Sequence, residues 1–159
     1  MADTALDDKR TPAPGPVGIG GWLLLPMLGL FAAPIVGVLQ FTAYAEVFSG
    51  WQYLDTRLAV FIVAETAGNI VLTVVAPVVL LFFMFKRLEM FPGWYMIWAT
   101  AAPVFLLADA SVAYALFAEP GSEIFDKETV RGIARSFLSA AIWIPYMMRS
   151  ERVANTFVN

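Results

Sequence analysis

The chain has 159 residues, of which 60% are apolar and 14% are charged, with a net charge of −3. A soluble domain carries about 25% charged residues and a disordered one combines low hydrophobicity with high charge, so the composition excludes both classes. The excess of acidic over basic residues also argues against a nucleic-acid partner. The remaining class is a membrane protein, whose main partner is the lipid bilayer.

Residues 1–17 are rich in charge and proline, with Pro12, Pro14 and Pro16 in alternating positions. Such a composition cannot bury a core and favours extended polyproline conformations. We therefore expect a disordered, proline-rich cytoplasmic tail. It is expected to act as a spacer, because the proline spacing matches no clear recognition pattern.

Four long apolar stretches follow the tail, and each reaches the ~20 residues needed to cross a ~30 Å hydrocarbon core. They cover residues 22–45, 58–85, 92–118 and 129–148. Backbone hydrogen bonds must close within each segment in lipid, so each stretch is predicted to be a helix. The predicted fold is all-α: a polytopic membrane protein whose residues 18–157 form a four-transmembrane-helix bundle.

Basic residues at the helix ends predict the orientation. Six lie on one side of the predicted bundle, namely Lys9, Arg10, Lys86, Arg87, Arg149 and Arg152. Three lie on the other side, namely Arg57, Lys127 and Arg131. The positive-inside tendency then places the N- and C-termini in the cytoplasm. Aromatic residues near the helix ends, Tyr44 among them, are interpreted as anchors in the headgroup layer.

Small residues recur at four-residue spacing on two of the predicted helices. Gly29, Ala33 and Gly37 form one stripe, and Gly132, Ser136 and Ala140 form the other. Such stripes let helix backbones approach closely. They either hold the four helices of one chain together, which we favour, or join two copies.

Cysteine and histidine are both absent from the sequence. This excludes disulfides, thiolate nucleophiles, thiolate zinc sites, iron–sulfur clusters and imidazole ligands. Any site for proton or charge chemistry must therefore use carboxylates, guanidinium groups or tyrosine. No nucleophile motif or metal-ligand spacing is present, so we predict no catalytic residue, metal site or cofactor, and we expect the protein not to be an enzyme.

The informative residues are polar ones within the apolar stretches. Glu65 and Asn69 lie one turn apart on one face of the second predicted helix. Asp109, Arg135 and Gln40 lie on the third, fourth and first helices, all at roughly 7–13 Å from the outer boundary at ~1.5 Å per residue. Because a charge at the bilayer centre costs about 2.5–3.5 kcal/mol, we expect these groups to face one another. Arg135 is expected to pair with one carboxylate.

Two interpretations of these five candidate ligand- or ion-binding residues remain open. In the first, which we favour, they fix helix packing without a ligand. The protein is then a structural or accessory interaction subunit, in a larger membrane-protein complex or a homo-oligomer. In the second, they bind a cation, a proton or a small polar solute, as in a small transporter, a channel or an ion- or proton-sensing protein.

The two ends of the sequence resemble a known family. The segment GIGGWLLLP at residues 18–26 is similar to the opening of a bacterial inner-membrane family described as domain of unknown function 2569. The segments WIPY at 143–146, SERV at 150–153 and NTF at 155–157 are similar to that family's ending. The resemblance implies a four-helix protein of the bacterial inner membrane. It implies no activity and no functional residues.

Overall fold

The computed structural model describes residues 15–118 and 124–159, and this part of the chain is helical without strands. The long helices are α1 (Leu24–Ser49), α2 (Thr56–Phe85), α3 (Phe91–Phe117) and α4 (Lys127–Arg149), and a short α5 (Glu151–Thr156) follows them. All four predicted stretches therefore correspond to helices, with ends that agree to within four residues. Residues 1–14 of the predicted disordered tail lie outside the described residues.

Three helical segments are long and apolar enough to cross a membrane. They are Gly21–Ser49, Thr56–Phe85 and Phe91–Phe117. The fourth long helix, α4, has 23 residues but is less apolar, because Lys127, Glu128, Arg131 and Arg135 all lie in its first nine residues. The described chain is thus an all-helical protein with three helices of membrane-spanning character.

Carboxylate caps begin two of the long helices. Asp55 accepts a hydrogen bond from the backbone N–H of Arg57 at the start of α2, at 3.1 Å. Asp126 accepts one from the backbone N–H of Thr129 at the start of α4, at 2.7 Å. Such caps pair donors that have no partner within the helix. The backbone N–H of Thr129 also lowers the pKa of Asp126, because it stabilises the ionised carboxylate.

The helices pack in a chain of neighbours rather than all against all. Among residues 15–118 and 124–159, α1 packs on residues 71–85 of α2, the same half of α2 packs on α3, and α3 packs along α4. The first half of α2, Thr56–Ile70, makes few contacts with other helices. The bundle is consequently tighter at the end where α2 finishes than at the end where it begins.

A π-helical turn at Val71–Val75 interrupts α2. Here the backbone N–H of Ala76 donates to the carbonyl five residues earlier. Pro77 follows and has no N–H, so the carbonyl of Leu72 has no donor from its own helix in this pattern. The indole Nε1–H of Trp98 on α3 donates to that carbonyl at 2.8 Å. A side chain from α3 therefore completes the hydrogen bonding of α2.

Gly37 brings α1 close to this turn. A Cβ at Gly37 would lie 2.5 Å from Thr73 Oγ1 and 3.2 Å from Val74 Cγ2. The predicted packing role within one chain is therefore right for Gly37. It is wrong for Gly29 and Gly132, because a Cβ at either position would meet nothing within 4 Å.

Most of the best-buried side chains lie at the end of the bundle where α2 finishes. We call this region the end cluster; it combines residues 18–23, the loop 86–90 with the start of α3, and residues 151–159. Its nearly inaccessible side chains are Leu23, Phe91, Val153, Thr156 and Phe157. The rings of Phe91 and Phe157 stack with centroids 4.5 Å apart. The apolar surface buried here joins the two ends of the sequence.

Backbone groups reinforce the end cluster. The N–H of Gly18 donates to Thr156 Oγ1 at 2.8 Å, and the N–H of Glu89 donates to the carbonyl of Asn159, also at 2.8 Å. The guanidinium of Arg152 lies beside Gly21 and donates to the carbonyl of Gly18 at 3.4 Å. Gly18 and Gly21 have φ values of +93° and +57°, which favour glycine. The glycines of the GIGGW segment therefore allow the backbone conformation on which α5 packs.

Candidate functional site

Three polar side chains from two helices meet in the half of the bundle opposite the end cluster, and a fourth side chain from a third helix lies near them. We call them the polar cluster: Tyr44 from α1, Glu65 and Asn69 from α2, and Asp109 from α3. The hydroxyl of Tyr44 donates to Glu65 Oε1 at 2.6 Å. Asn69 Nδ2 donates to the same hydroxyl oxygen at 3.5 Å. One phenol thus joins α1 to two consecutive turns of α2.

Asp109 adds a second carboxylate to this group. It is half-buried on α3 and close enough to Glu65 for their negative charges to repel each other. It also interacts electrostatically with Tyr44. Two carboxylates in one partly buried region favour the uptake of one positive charge, because that uptake removes the repulsion.

A cavity of about 410 Å³ adjoins the polar cluster between α1, α2 and α3. Asn69 belongs to both, since it contacts Tyr44 and also lines the cavity. Gln40 and Thr73 supply further polar groups, while the other lining residues are apolar and include Trp98 and Phe105. The space is large enough for several water molecules. The polar groups of this space lie on α1 and α2, and Glu65 and Asp109 lie outside its lining.

Four of the five sequence-predicted residues are arranged around this site. Glu65, Asn69 and Asp109 belong to the polar cluster, and Gln40 lines the cavity, although its side chain is exposed.

Arg135 does not join them, so the expected pairing with a carboxylate is wrong. Its side chain is exposed, and within the described residues it forms no ion pair with Glu65 or Asp109. The reason is rotational: α4 buries Ala140 and Met147, and Arg135 projects from another face of the helix.

Tyr44 was not predicted as a site residue. Its position near the end of a helix indicated a headgroup anchor, whereas the structure shows it hydrogen-bonded to Glu65. The available signal was its spacing, because Tyr44 lies four residues after Gln40 and therefore on the same face of α1. A polar residue one helical turn from a predicted site residue is itself a candidate for the same site.

The geometry does not resemble a polydentate metal centre. Within residues 15–118 and 124–159, no group of three His, Cys, Asp or Glu side chains is placed to hold a metal ion. The polar cluster offers two carboxylates, one phenol and one amide. These groups suit a proton or a weakly held small cation better than a tightly bound divalent ion.

Comparisons with known proteins extend the similarity beyond the two ends. Residues 16–158 match the model of a family described as a protein of unknown function, DUF2569. Inner membrane protein YdgK of Escherichia coli (strain K12) is 31% identical over 151 residues, which cover 91% of this chain and 96% of that protein. No solved structure matches. The family match therefore covers the polar cluster and all of the end cluster except Asn159, and it confirms the resemblance noted in the sequence.

Proposed function

This chain belongs to the DUF2569 family, and we propose that it is a multi-pass inner-membrane protein that binds one positive charge, a proton or a small cation, at the polar cluster. The inner-membrane location follows the name of its Escherichia coli relative and agrees with the three membrane-spanning helical segments. The corresponding role is that of a small transporter, channel or ion-sensing protein without enzymatic activity.

The proposal includes α4 as a fourth crossing. The contact between Gly18 and Thr156 supports it, because two ends on one side of the bundle require an even number of crossings. The 23 residues of α4 extend ~35 Å, which is enough to span the hydrocarbon core. The larger number of basic residues on the side of the end cluster supports cytoplasmic termini.

One observation carries the proposed binding site: the carboxyl groups of Glu65 and Asp109 lie in one partly buried region beside Tyr44, and no basic side chain in the described part of the chain forms an ion pair with either. A purely structural cluster would balance its two carboxylates with a positively charged side chain. Arg135 was expected to supply that charge, but it projects from another face of α4. Partly buried charges that lack a partner are costly. A bound proton or cation supplies the missing charge.

A structural or accessory interaction subunit is the second candidate, within a larger membrane-protein complex or a homo-oligomer. The hydrogen bond from Tyr44 to Glu65 favours it. This bond ties α1 to the first half of α2, where contacts with other helices are otherwise few. In that role the polar cluster sets the position of Thr56–Ile70 and needs no ligand.

Thermal unfolding of the full chain in mild detergent, measured against pH and against Na⁺ or K⁺, separates the two candidates. N-methylglucamine chloride serves as the ionic-strength control. Under the proposal, a bound cation raises the unfolding temperature of the wild type, or acidification does so without added cation. Glu65→Gln and Asp109→Asn are expected to abolish that dependence, whereas Glu89→Gln, an exposed acid at the other end, is expected to keep it.

The opposite pattern contradicts the binding site. If the wild type responds to neither cation nor pH while Glu65→Gln, Asp109→Asn and Tyr44→Phe all lower the unfolding temperature, the cluster is structural. In that case any loss of cellular phenotype should follow the loss of stability. Loss of phenotype at unchanged stability would argue against the structural candidate.

A further inference from the structure

The exposed face of α4 carries a basic stripe with no protein partner in the described chain. Lys127, Arg131 and Arg135 lie at four-residue spacing, and all three are exposed. None of them forms an ion pair among the described residues. Because residues i and i+4 are neighbours on a helix surface, the three cations form a continuous row along one side of the helix.

The row continues into an apolar strip. Leu138 and Ile142 follow Arg135 at three- and seven-residue spacing, and they are 62% and 54% exposed. These spacings keep them on the same face of α4 as the arginines. The face therefore presents cations near the start of the helix and aliphatic side chains toward its middle.

We propose that Arg131 and Arg135 bind the phosphate of an anionic phospholipid, with its acyl chain lying over Leu138 and Ile142. This inference rests on the proposed crossing of the membrane by α4, and it is independent of cation binding at the polar cluster. The order of the groups along the helix, cationic and then aliphatic, matches the order of headgroup and chain in a lipid.

The depth of the two arginines fits the headgroup layer. Arg131 and Arg135 lie about 6 Å and 12 Å along the axis from the start of α4 at ~1.5 Å per residue. Arginine side chains at this depth extend along the helix toward the headgroups and bury only their aliphatic part. Both guanidinium groups therefore reach one layer of phosphates.

The chemistry of the pair selects phosphate. A guanidinium group presents parallel N–H donors that match phosphate oxygens in a bidentate arrangement. Two such groups one turn apart can share one phosphodiester. Lys127 and the exposed Glu128 both lie in the first turn of α4 and offset each other, so the net charge of +2 comes from the two arginines. Two positive charges disfavour a headgroup with its own cation, such as choline, and favour a net anionic one.

Native mass spectrometry of the full chain in mild detergent tests this assignment, with titrations of phosphatidylglycerol and phosphatidylcholine. The wild type is expected to retain one phosphatidylglycerol molecule in preference to phosphatidylcholine. Arg131→Gln/Arg135→Gln is expected to weaken that retention at least tenfold. The matched control is Lys86→Gln/Arg87→Gln, which removes two adjacent exposed cations at the other end of the bundle and is expected to keep it.

Three results would overturn the inference. Equal retention of the two lipids by the wild type would exclude a headgroup-selective site, and equal losses in both double variants would show attraction by net charge only. A dimer that separates on Arg131→Gln/Arg135→Gln without a change in lipid retention would assign the face to a second copy.

Circular dichroism checks that the variants are folded, and the single variants Arg131→Gln and Arg135→Gln replace the double one if it unfolds. The crossing itself is tested separately by Ser139→Cys, which lies on α4 one turn after Arg135. A water-soluble maleimide that labels this position in vesicles would place α4 outside the membrane. Failure of the crossing is therefore distinguished from failure of lipid recognition, and neither depends on the cation measurements.

Discussion

Gly37 shows how much one missing methyl group matters in this bundle. It lies where α1 meets the π-helical turn of α2, and the side chains of Thr73 and Val74 occupy the space that a Cβ would need. Gly29 lies two turns earlier on the same helix, where that space is open. The two glycines therefore form a matched pair for testing close helix approach.

We predict that Gly37→Ala destabilises the protein by about 1–3 kcal/mol, the usual cost of overpacking a close contact. Gly29→Ala is expected to be neutral or slightly stabilising, because alanine favours a helix interior over glycine. Thermal unfolding in mild detergent measures both. Equal effects of the two substitutions would contradict the close approach of α1 and α2.

For single residues, the sequence predicted which polar side chains lie within apolar stretches but not which of them contact one another. Glu65, Asn69 and Asp109 were identifiable because polar groups are costly in apolar stretches. The pairing of Arg135 with a carboxylate was not predictable, because it depends on the rotation of α4 about its own axis. One residue corresponds to about 100° of rotation, so Arg135 is exposed although its neighbour Ser136 is partly buried.

Among the elements, α2 departs furthest from a regular helix. Its π-helical turn and Pro77 leave the Leu72 carbonyl without a donor from α2, and Trp98 supplies one from α3. The helix bounds were predictable from the length of each apolar stretch. The π turn was not, because it depends jointly on a proline in α2 and an indole in α3, which only the fold brings together.

We predict that Trp98→Phe destabilises the protein by about 1–3 kcal/mol, because it leaves a partly buried carbonyl without a donor while keeping an aromatic ring. Trp94→Phe is the control, since Trp94 lies one turn earlier on α3 and is 52% exposed. Far-UV circular dichroism during heating compares the two variants. If Trp98→Phe were as stable as Trp94→Phe, the hydrogen bond to Leu72 would contribute nothing measurable.

For the whole molecule, the main constraint is that the two ends of the described part of the chain meet. Residues 18–23 and 151–159 pack together with the loop between α2 and α3. The loop between α1 and α2 lies at the opposite end of the bundle. The distribution of basic residues predicts the orientation of the bundle, whereas the contact between residues 18–23 and 151–159 could not be predicted without the fold.

We predict opposite accessibility for cysteines placed at these two ends of the bundle. The chain has no native cysteine, so Gln52→Cys and Glu89→Cys, both at exposed positions, give single labelling sites. A membrane-impermeant maleimide is expected to label Gln52→Cys in intact cells and Glu89→Cys only after lysis. Labelling of both in intact cells would contradict the bundle, and the reverse pattern would contradict cytoplasmic termini.

The end cluster also imposes an order on biosynthesis. The hydrogen bond from Gly18 to Thr156 can form only after the ribosome has added Thr156, 138 residues later. At about 5–20 residues per second, synthesis of the intervening 138 residues takes roughly 7–28 s. Until Val153 and Phe157 have been added, Leu23 and Phe91 lack two side chains of the buried cluster to which all four belong in the finished protein. A chain whose translation stops before Phe157 leaves this apolar surface exposed to proteases. A fully packed end cluster therefore shows that translation has passed Phe157.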